Sequence, residues 1–533
     1  MYWFSTLLYL WAIPRCIAQQ APLGDYHSSP LNEVFENKVK WAMEHFKIPG
    51  LAISVVRGED IFAKGYGISN LETSKPVTEH TLFEGASTSK AFTAAAVSLL
   101  IDDNENFPDI QWDTPVHDLL PEFTLEDPWF TTHVTIEDIL SHRSGLPRHD
   151  WILYANITIG DAVSKLRHLP LTAPIRTKWQ YSNLMYMTAA HLIETRTGLP
   201  LKEFFRTRLW EPLNMTETYL SSQDAQKAGE DIARGYYLDP ENLFQDAQNP
   251  HQDNLRGASN VLSSATDYAK WLRAMIHRQP PLSPAGHAAV TGAHSILIPQ
   301  VMPPYSSPIL YGFGWMSESY KGQTVIQHDG ATWGFGALAL FLPDLQLGIA
   351  IFGNDMERTN AASSVLVYHI IDEILGTPED ELFDWVKRAD EVLNVTMIPP
   401  PNTLYPKVPD SPLPPPLPIS HFTGIYTHPA YPTVNLTTEC LHKPIIPPLN
   451  NETEVMRLCA DIAEGACLPA GFGNELVHVT GDYWILGSGV VNLAFTMRAE
   501  FRIGPDGLVS QLGVEADAAM AEVGKKIWWT KSA

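Results

Sequence analysis

Between Pro399 and Pro418 the chain is dense in proline, with Leu413-Pro414-Pro415-Pro416 at its centre. Proline has no backbone N–H and a fixed φ, so such a run continues neither a helix nor a central strand. It reads as a semi-rigid linker that cuts the sequence in two. A length of 533 residues also exceeds what one ordinary core holds. The expected division is a first domain over 24–395, a linker over 396–418 and a second domain over 419–533. Residues 1–18 are apolar and aromatic, broken by Pro14 and Arg15 and ending in Cys16-Ile17-Ala18. They are too short for a membrane span and read as a signal peptide.

In the first domain, Leu31 to Phe46 carries helical periodicity. Gly50–Arg57 and Ile61–Gly67 flank Gly58-Glu59-Asp60 as a β-hairpin. A helix is expected to begin at Ser87. From Asn104 to about Met275 the pattern is mostly helical, with helices over Thr135–Ser141, Leu184–Gly198 and Thr266–Met275, the last capped near Ser263. Strand-like runs then return at Tyr311–Trp315, Thr324–His328, Phe335–Phe341 and Leu347–Phe352, and Ala361–Leu375 closes the domain as a helix. Strands at both ends of a helical insertion predict an α+β domain built on one antiparallel sheet. Past the linker, Gly424–Tyr426, Thr433–Leu436, Tyr483–Leu486, Phe495–Ile503 and Ile527–Trp529 read as strands of a small all-β barrel or sandwich.

The formal net charge of −24 argues against nucleic-acid and anionic-membrane partners and suits a secreted or acidic-compartment protein. Asn-x-Ser/Thr sequons at Asn156, Asn214, Asn394, Asn435 and Asn451 fit that route. Beyond the signal segment only Cys440, Cys459 and Cys467 remain, so one disulfide and one spare thiol are expected. No Cys/His set has metal-ligand spacing and no Gly-rich phosphate loop follows a strand, so neither a metal nor another cofactor is expected.

Three stretches carry chemistry. In Phe83-Glu84-Gly85-Ala86-Ser87-Thr88-Ser89-Lys90 a helix start places Lys90 over the Ser87 hydroxyl, because residues i and i+3 share a helical face. A serine needs a base, and an amine held in a desolvated site stays unprotonated and can accept its proton. The helix N-terminus supplies N–H groups where an oxyanion would form. In Tyr181-Ser182-Asn183 the phenol can exchange a proton with a serine if a nearby cation lowers its pKa. The Asn183 amide can donate to a substrate carbonyl or contact Lys90. In His328-Asp329-Gly330-Ala331 the glycine allows close substrate approach and the Ala331 N–H can be a second oxyanion donor. Each short motif arises by chance; their combination in this order does not.

With these motifs the chain resembles the class C β-lactamase-related serine hydrolases, a group of esterases, D-amino-acid peptidases and acyltransferases. Ser141–Pro147 and Tyr311–Trp315 also look like its recurrent loops. The likeness spans roughly residues 31 to 390, and the last hundred or so resemble the lipocalin-like β-domain of some members. It implies that Ser87 is acylated, with Lys90 and Tyr181 sharing its proton and delivering it to the leaving group. The Ser87 and Ala331 N–H groups would form the oxyanion hole, Asn183 would orient Lys90 and the substrate carbonyl, and Tyr181 would activate the second acceptor. Trp333 would line the acyl pocket or pack in the core, and Arg148, His149 and Asp150 would rim the cleft or, as the simpler reading, lie in a solvated loop. His328 stands where β-lactamases carry lysine, which argues against β-lactam hydrolysis. The expected activity is cleavage of a small-molecule ester or amide through a Ser87 acyl-enzyme. An acyltransferase shares the first half-reaction. A binding protein working through its β-domain is the third reading, against which intact Ser87, Lys90 and Tyr181 argue.

Overall fold

The computed structural model describes residues 28–154, 157–239, 241–247, 255–394, 404–405, 409, 411–440, 444–446, 456–462, 473–490 and 493–532. The expected signal segment, Asn156, Asn451, Cys467 and the first part of the Pro-rich run lie outside the described residues. The first domain is built on a nine-stranded sheet. From one edge its strands are Lys75–Pro76, Asp60–Asn70, Gly50–Arg57, Leu347–Gly353, Phe335–Leu342, Gln323–Thr332, Met316–Tyr320, Ile309–Tyr311 and Ser295–Ile298. The hairpin Gly50–Arg57/Asp60–Asn70 joins the later strands through antiparallel pairing of Ile53 with Ile351. One sheet is therefore assembled from both ends of the domain, as the strand pattern predicts.

Both faces of the sheet are covered, which is why Phe335–Leu342 and Leu347–Gly353 are buried throughout. Leu338, Leu340, Ile349 and Ile351 pack with the helices Glu33–Phe46 and Met356–Leu375. The alternate residues Ala337, Ala339, Phe341 and Phe352 face the other way, onto Tyr268, Ala269 and Leu272 of the helix Ala265–His277. Alternation on a pleated strand produces this division. That helix is capped by Ser264, one residue past the expected Ser263. The helix Lys90–Asp102 is buried from Lys90 through Leu100, so it is apolar all round and runs through the middle of the domain.

Two departures from the expected elements shape the site. The α-helix begins at Lys90 rather than Ser87, because a tight 3₁₀ turn, Ala86–Ser89, precedes it. Ala86 has φ 45°, a left-handed conformation unusual for a residue with a Cβ. Tyr311–Trp315 is not one strand: Ile309–Tyr311 ends and Met316–Tyr320 begins around a turn at Gly314, φ 74°. A Cβ on Gly314 would stand 2.8 Å from the Ala91 nitrogen, so glycine lets this turn press on the start of the central helix.

The C-terminal domain is a closed eight-stranded barrel. Beyond the expected strands it contains Arg457–Ile462, Gly473–Thr480 and Val509–Val514, and a short helix, Ala518–Val523, precedes the last strand. A disulfide joins Cys440 to Cys459. The barrel packs on the first domain. Tyr431 hydrogen-bonds His149 at 2.7 Å, Lys525 donates to the Leu171 carbonyl at 2.8 Å, and Lys178 pairs with Glu522 at 2.7 Å. Among the described residues no helix is long and apolar enough to cross a membrane.

The close approach of strand and turn yields a first prediction. A Cβ on Gly330 would stand 2.3 Å from the Gly85 carbonyl oxygen and 3.3 Å from the Ala86 Cβ. Gly330 is thus needed for contact with the Ala86–Ser89 turn. Gly330→Ala is expected to lower the unfolding free energy by about 1–3 kcal/mol, as overpacking does, measured by denaturant melting. An unchanged midpoint would mean that the turn is free to move away.

Candidate active site

The Ala86–Ser89 turn presents Ser87 at the end of the central helix, and Lys90 is one turn on, with no measurable exposure. Its Nζ is 3.1 Å from Ser87 Oγ, 2.8 Å from Asn183 Oδ1 and 2.8 Å from the Ala258 carbonyl. Tyr181 donates its phenol proton to Ser87 Oγ at 2.6 Å. Spacing i, i+3 brings the first contact, the first residue of the helix Asn183–Thr197 and the loop before it bring Asn183 and Tyr181, and a turn at 257–258 brings the Ala258 carbonyl. Ser182, not Asn183, is the N-cap of that helix. The Asn183 side chain is thereby free to face Lys90.

Counting protons assigns the network. A neutral amine has two N–H donors and one lone pair. As an ammonium Lys90 would donate to Ser87 Oγ, Asn183 Oδ1 and the Ala258 carbonyl. As the neutral amine it keeps its two hydrogens on the Asn183 and Ala258 oxygens, which can only accept, and turns its lone pair to the Ser87 O–H. The Ser87 oxygen then accepts from Tyr181. Burial, first, and then Arg148 hold the Lys90 amine well below the ordinary lysine range, against the pull of Asp150 and Asp329. For Tyr181 the condition of a net lowering by a nearby cation is not met. Burial raises it, outweighing the Ser87 hydrogen bond and Arg148, so the phenol stays protonated. The arrangement can therefore remove the serine proton through Lys90 while Tyr181 supplies one.

A wall of rings keeps the amine dry. The Lys90 Nζ lies 4.6 Å from the Tyr181 ring centroid and 5.5 Å from that of Tyr186. The His142 ring lies tilted against those of Tyr181 and Tyr311, with centroids 4.5 and 5.0 Å away. Its Nδ1 accepts the Ser182 N–H at 3.1 Å, and its carbonyl accepts the Gln180 N–H. His142 thus fixes the Tyr181 loop, and burial keeps it neutral. The Ser141–Pro147 stretch was legible as a recurrent loop, but not this role.

His328 is buried, with Nε2 3.2 Å from the Tyr311 hydroxyl and Nδ1 2.6 Å from the Asp329 carbonyl. Burial lowers its pKa more than Asp329 raises it, so near neutrality it is uncharged. Ser87, Tyr181, His328 and Ala331 line one cavity of about 490 Å³. The two residues expected to offer oxyanion N–H groups therefore border the same space. The barrel closes it: Asp517, Ala518, Ala519 and Glu522 form part of the wall. This short helix, bounded by the caps Asp517 and Gly524, was missed in the sequence although its Asp-to-Gly frame is readable.

Three expectations are corrected. Trp333 does not line the Ser87 cavity. The hairpin turn carries it past the cleft onto Tyr237, 5.7 Å between centroids, beside a separate small cavity. Gly330 makes room for the Gly85 carbonyl rather than for a ligand. The solvated-loop reading of Arg148, His149 and Asp150 holds only in part: Arg148 is exposed, but the barrel buries His149 and the loop rims the cleft. His149 is fully buried, Arg148 lines the cavity with its guanidinium 4.8 Å from the Tyr181 centroid, and Asp150 accepts from Asn183 Nδ2 at 3.1 Å. The sequons at Asn214, Asn394 and Asn435 expose their asparagines.

Known proteins place this architecture. The octameric penicillin-binding protein homologue from Pyrococcus abyssi has a TM-score of 0.60 at 20% identity, covering 90% of this chain and 97% of its own. The class C beta lactamase from Rhodobacter sphaeroides has a TM-score of 0.52 at 20% identity, over 64% of this chain and 100% of its own. In sequence, an unguisins hydrolase, ungD', of Aspergillus campestris is 36% identical, covering 94% of this chain and 92% of its own. A D-aminopeptidase of Cereibacter sphaeroides is 25% identical over 60% of each. The Beta-lactamase family model matches residues 35–368. With fold and sequence in agreement over that span, the chain belongs to the beta-lactamase family of serine hydrolases.

Proposed function

We propose that this protein hydrolyses an amide or ester bond of an uncharged or amine-bearing small molecule through an acyl-enzyme on Ser87. The carrying observation is the contact set of the buried Lys90 amine, whose Nζ meets Ser87 Oγ, Asn183 Oδ1 and the Ala258 carbonyl, so that once neutral it can give its hydrogens to the last two and take the Ser87 proton on its lone pair. Ser87 Oγ attacks the carbonyl as its proton passes to Lys90, and the N–H groups of Ser87 and Ala331 receive the oxyanion. The proton then reaches the leaving group through Tyr181, which is hydrogen-bonded to Ser87 Oγ. Water enters on the same side and attacks the acyl carbon as its proton passes to Lys90, which returns that proton to Ser87 Oγ as the Oγ–acyl bond breaks and the acid leaves. A phosphonate inhibitor is expected to leave its adduct on the peptide containing Ser87, and Ser87→Ala to abolish both labelling and turnover. Lys90→Ala and Tyr181→Phe should each cost about a hundredfold or more in kcat, without adding, since the groups act as a unit. Because Lys90 must be neutral, kcat should rise with pH through a value well below the ordinary lysine range. An adduct elsewhere, or a flat profile, would contradict the mechanism.

Substrate preference follows from charge. The cavity carries Asp329, Asp517 and Glu522 against Arg148, and its histidine is neutral. A carboxylate-bearing penicillin is disfavoured there. The unguisins hydrolase and D-aminopeptidase relatives make an amide of unguisin or D-amino-acid type the first to assay. kcat/KM for such an amide or a neutral aryl ester should exceed that for a penicillin by about tenfold or more, one ion-pair contact being worth that much. Penicillin as the better substrate would overturn the charge argument.

A secretory route is supported by the Cys440–Cys459 disulfide and by the exposed sequon asparagines. Protein from its native host should lose mass on glycosidase treatment, and an unchanged mass would contradict this route.

A further inference from the structure

We infer that Arg148 and Asp150 are positioning residues of the Ser87 site, held in place by the C-terminal barrel; this rests on the nucleophilic role proposed for Ser87. Asp150 divides its two oxygens. Oδ1 accepts from Asn183 Nδ2 at 3.1 Å, and Oδ2 accepts from Arg148 Nε at 2.6 Å. The first bond fixes the Asn183 amide so that its oxygen, not its NH₂, meets Lys90. The second sets the Arg148 guanidinium over the ring of Tyr181, the phenol that donates to Ser87. One ion pair thus orients both partners of the nucleophile.

The loop bearing this pair is anchored in the barrel. His149 is buried with φ 50°, a left-handed conformation that needs external support. One of its ring nitrogens meets the Tyr431 hydroxyl at 2.7 Å and the other the Pro170 carbonyl at 3.0 Å. Trp151 is buried, its ring 6.5 Å from those of Trp529 and Phe495. Asp517 of the barrel lies beside Arg148 on the cavity wall. Barrel residues therefore grip the loop between the two members of the ion pair, at His149, and immediately after it, at Trp151.

The groups facing Lys90 are Arg148 and Asp150 on this loop, Asp329 on the neighbouring strand, the buried neutral His142 and His328, and the phenols of Tyr181 and Tyr186. Arg148 opposes a charge on Lys90, whereas Asp150 favours one. Removing either charge must therefore displace the Lys90 titration in opposite directions, which a purely structural role would not do.

The test is kcat and KM against pH for a neutral aryl ester, with full-length wild type, Arg148→Gln, Asp150→Asn, Arg148→Lys and Tyr431→Phe. The acid limb of kcat should move up by about one pH unit in Arg148→Gln and down by a similar amount in Asp150→Asn. Arg148→Lys should restore the wild-type limb. Tyr431→Phe, on the barrel, should lower kcat roughly three- to tenfold with KM held, the effect of one lost hydrogen bond. If Arg148→Gln does not fold, the direction of the Asp150→Asn limb decides alone. An unmoved limb in the charge variants, or Tyr431→Phe acting on KM only, would overturn the inference. Absence of a phosphonate adduct on wild-type Ser87 would instead overturn the proposed function, so the two failures are distinguishable.

Discussion

A lysine amine with no exposure to solvent is stable only if it is neutral and every hydrogen has an acceptor. Much of the first domain is arranged to meet those two conditions at Lys90. The central helix brings it into the core, Ala258 and Asn183 take its hydrogens, and the rings of Tyr181 and Tyr186 exclude water. A base that would be useless at neutral pH in water becomes one that can accept a serine proton. The same burial keeps Tyr181 protonated and His328 neutral, so one physical cause assigns three protonation states.

The site is completed from two domains. The sheet supplies His328 and Ala331, the central turn supplies Ser87, and the helical insertion supplies Tyr181 and Asn183. The barrel adds the wall Asp517–Glu522 and the contacts that order the Arg148–Asp150 loop. The β-domain thereby borders the cavity that holds Ser87, and it places the acidic residues Asp517 and Glu522 on its wall. Small residues at Gly314 and Gly330 permit the close backbone contacts on which the Ser87 turn rests.

What could be read in the sequence was what local geometry enforces. Ser87 and Lys90 share a helical face by spacing, and Tyr181 and Asn183 precede a helix with a visible start. The sheet was legible because strands covered on both faces are continuously apolar. Contacts made across hundreds of residues were not legible. His149 meets Tyr431 282 positions away, so its loop looked like a solvated one. Ala258 acts through its carbonyl, which leaves no side-chain signature. In the barrel, buried Asn474 and Glu475 interrupt the alternation of Gly473–Thr480, because Glu475 is satisfied by Arg457 and by the Ile445 and Ile446 N–H groups. Asn474 faces the barrel interior and Glu475 the opposite face beneath Ile445 and Ile446, and buried polar residues on both faces hide a strand from any hydrophobic pattern.

Direct titration of Lys90 bears most closely on this arrangement. In protein labelled with ¹⁵N-lysine, the Lys90 side-chain resonance can be assigned by its loss in Lys90→Ala and followed against pH. The amine is expected to titrate well below the ordinary lysine value of about 10.4 and to be neutral where the enzyme is active. Titration of Lys90 at the ordinary value would contradict the neutral-amine network and with it the proposed path of the Ser87 proton.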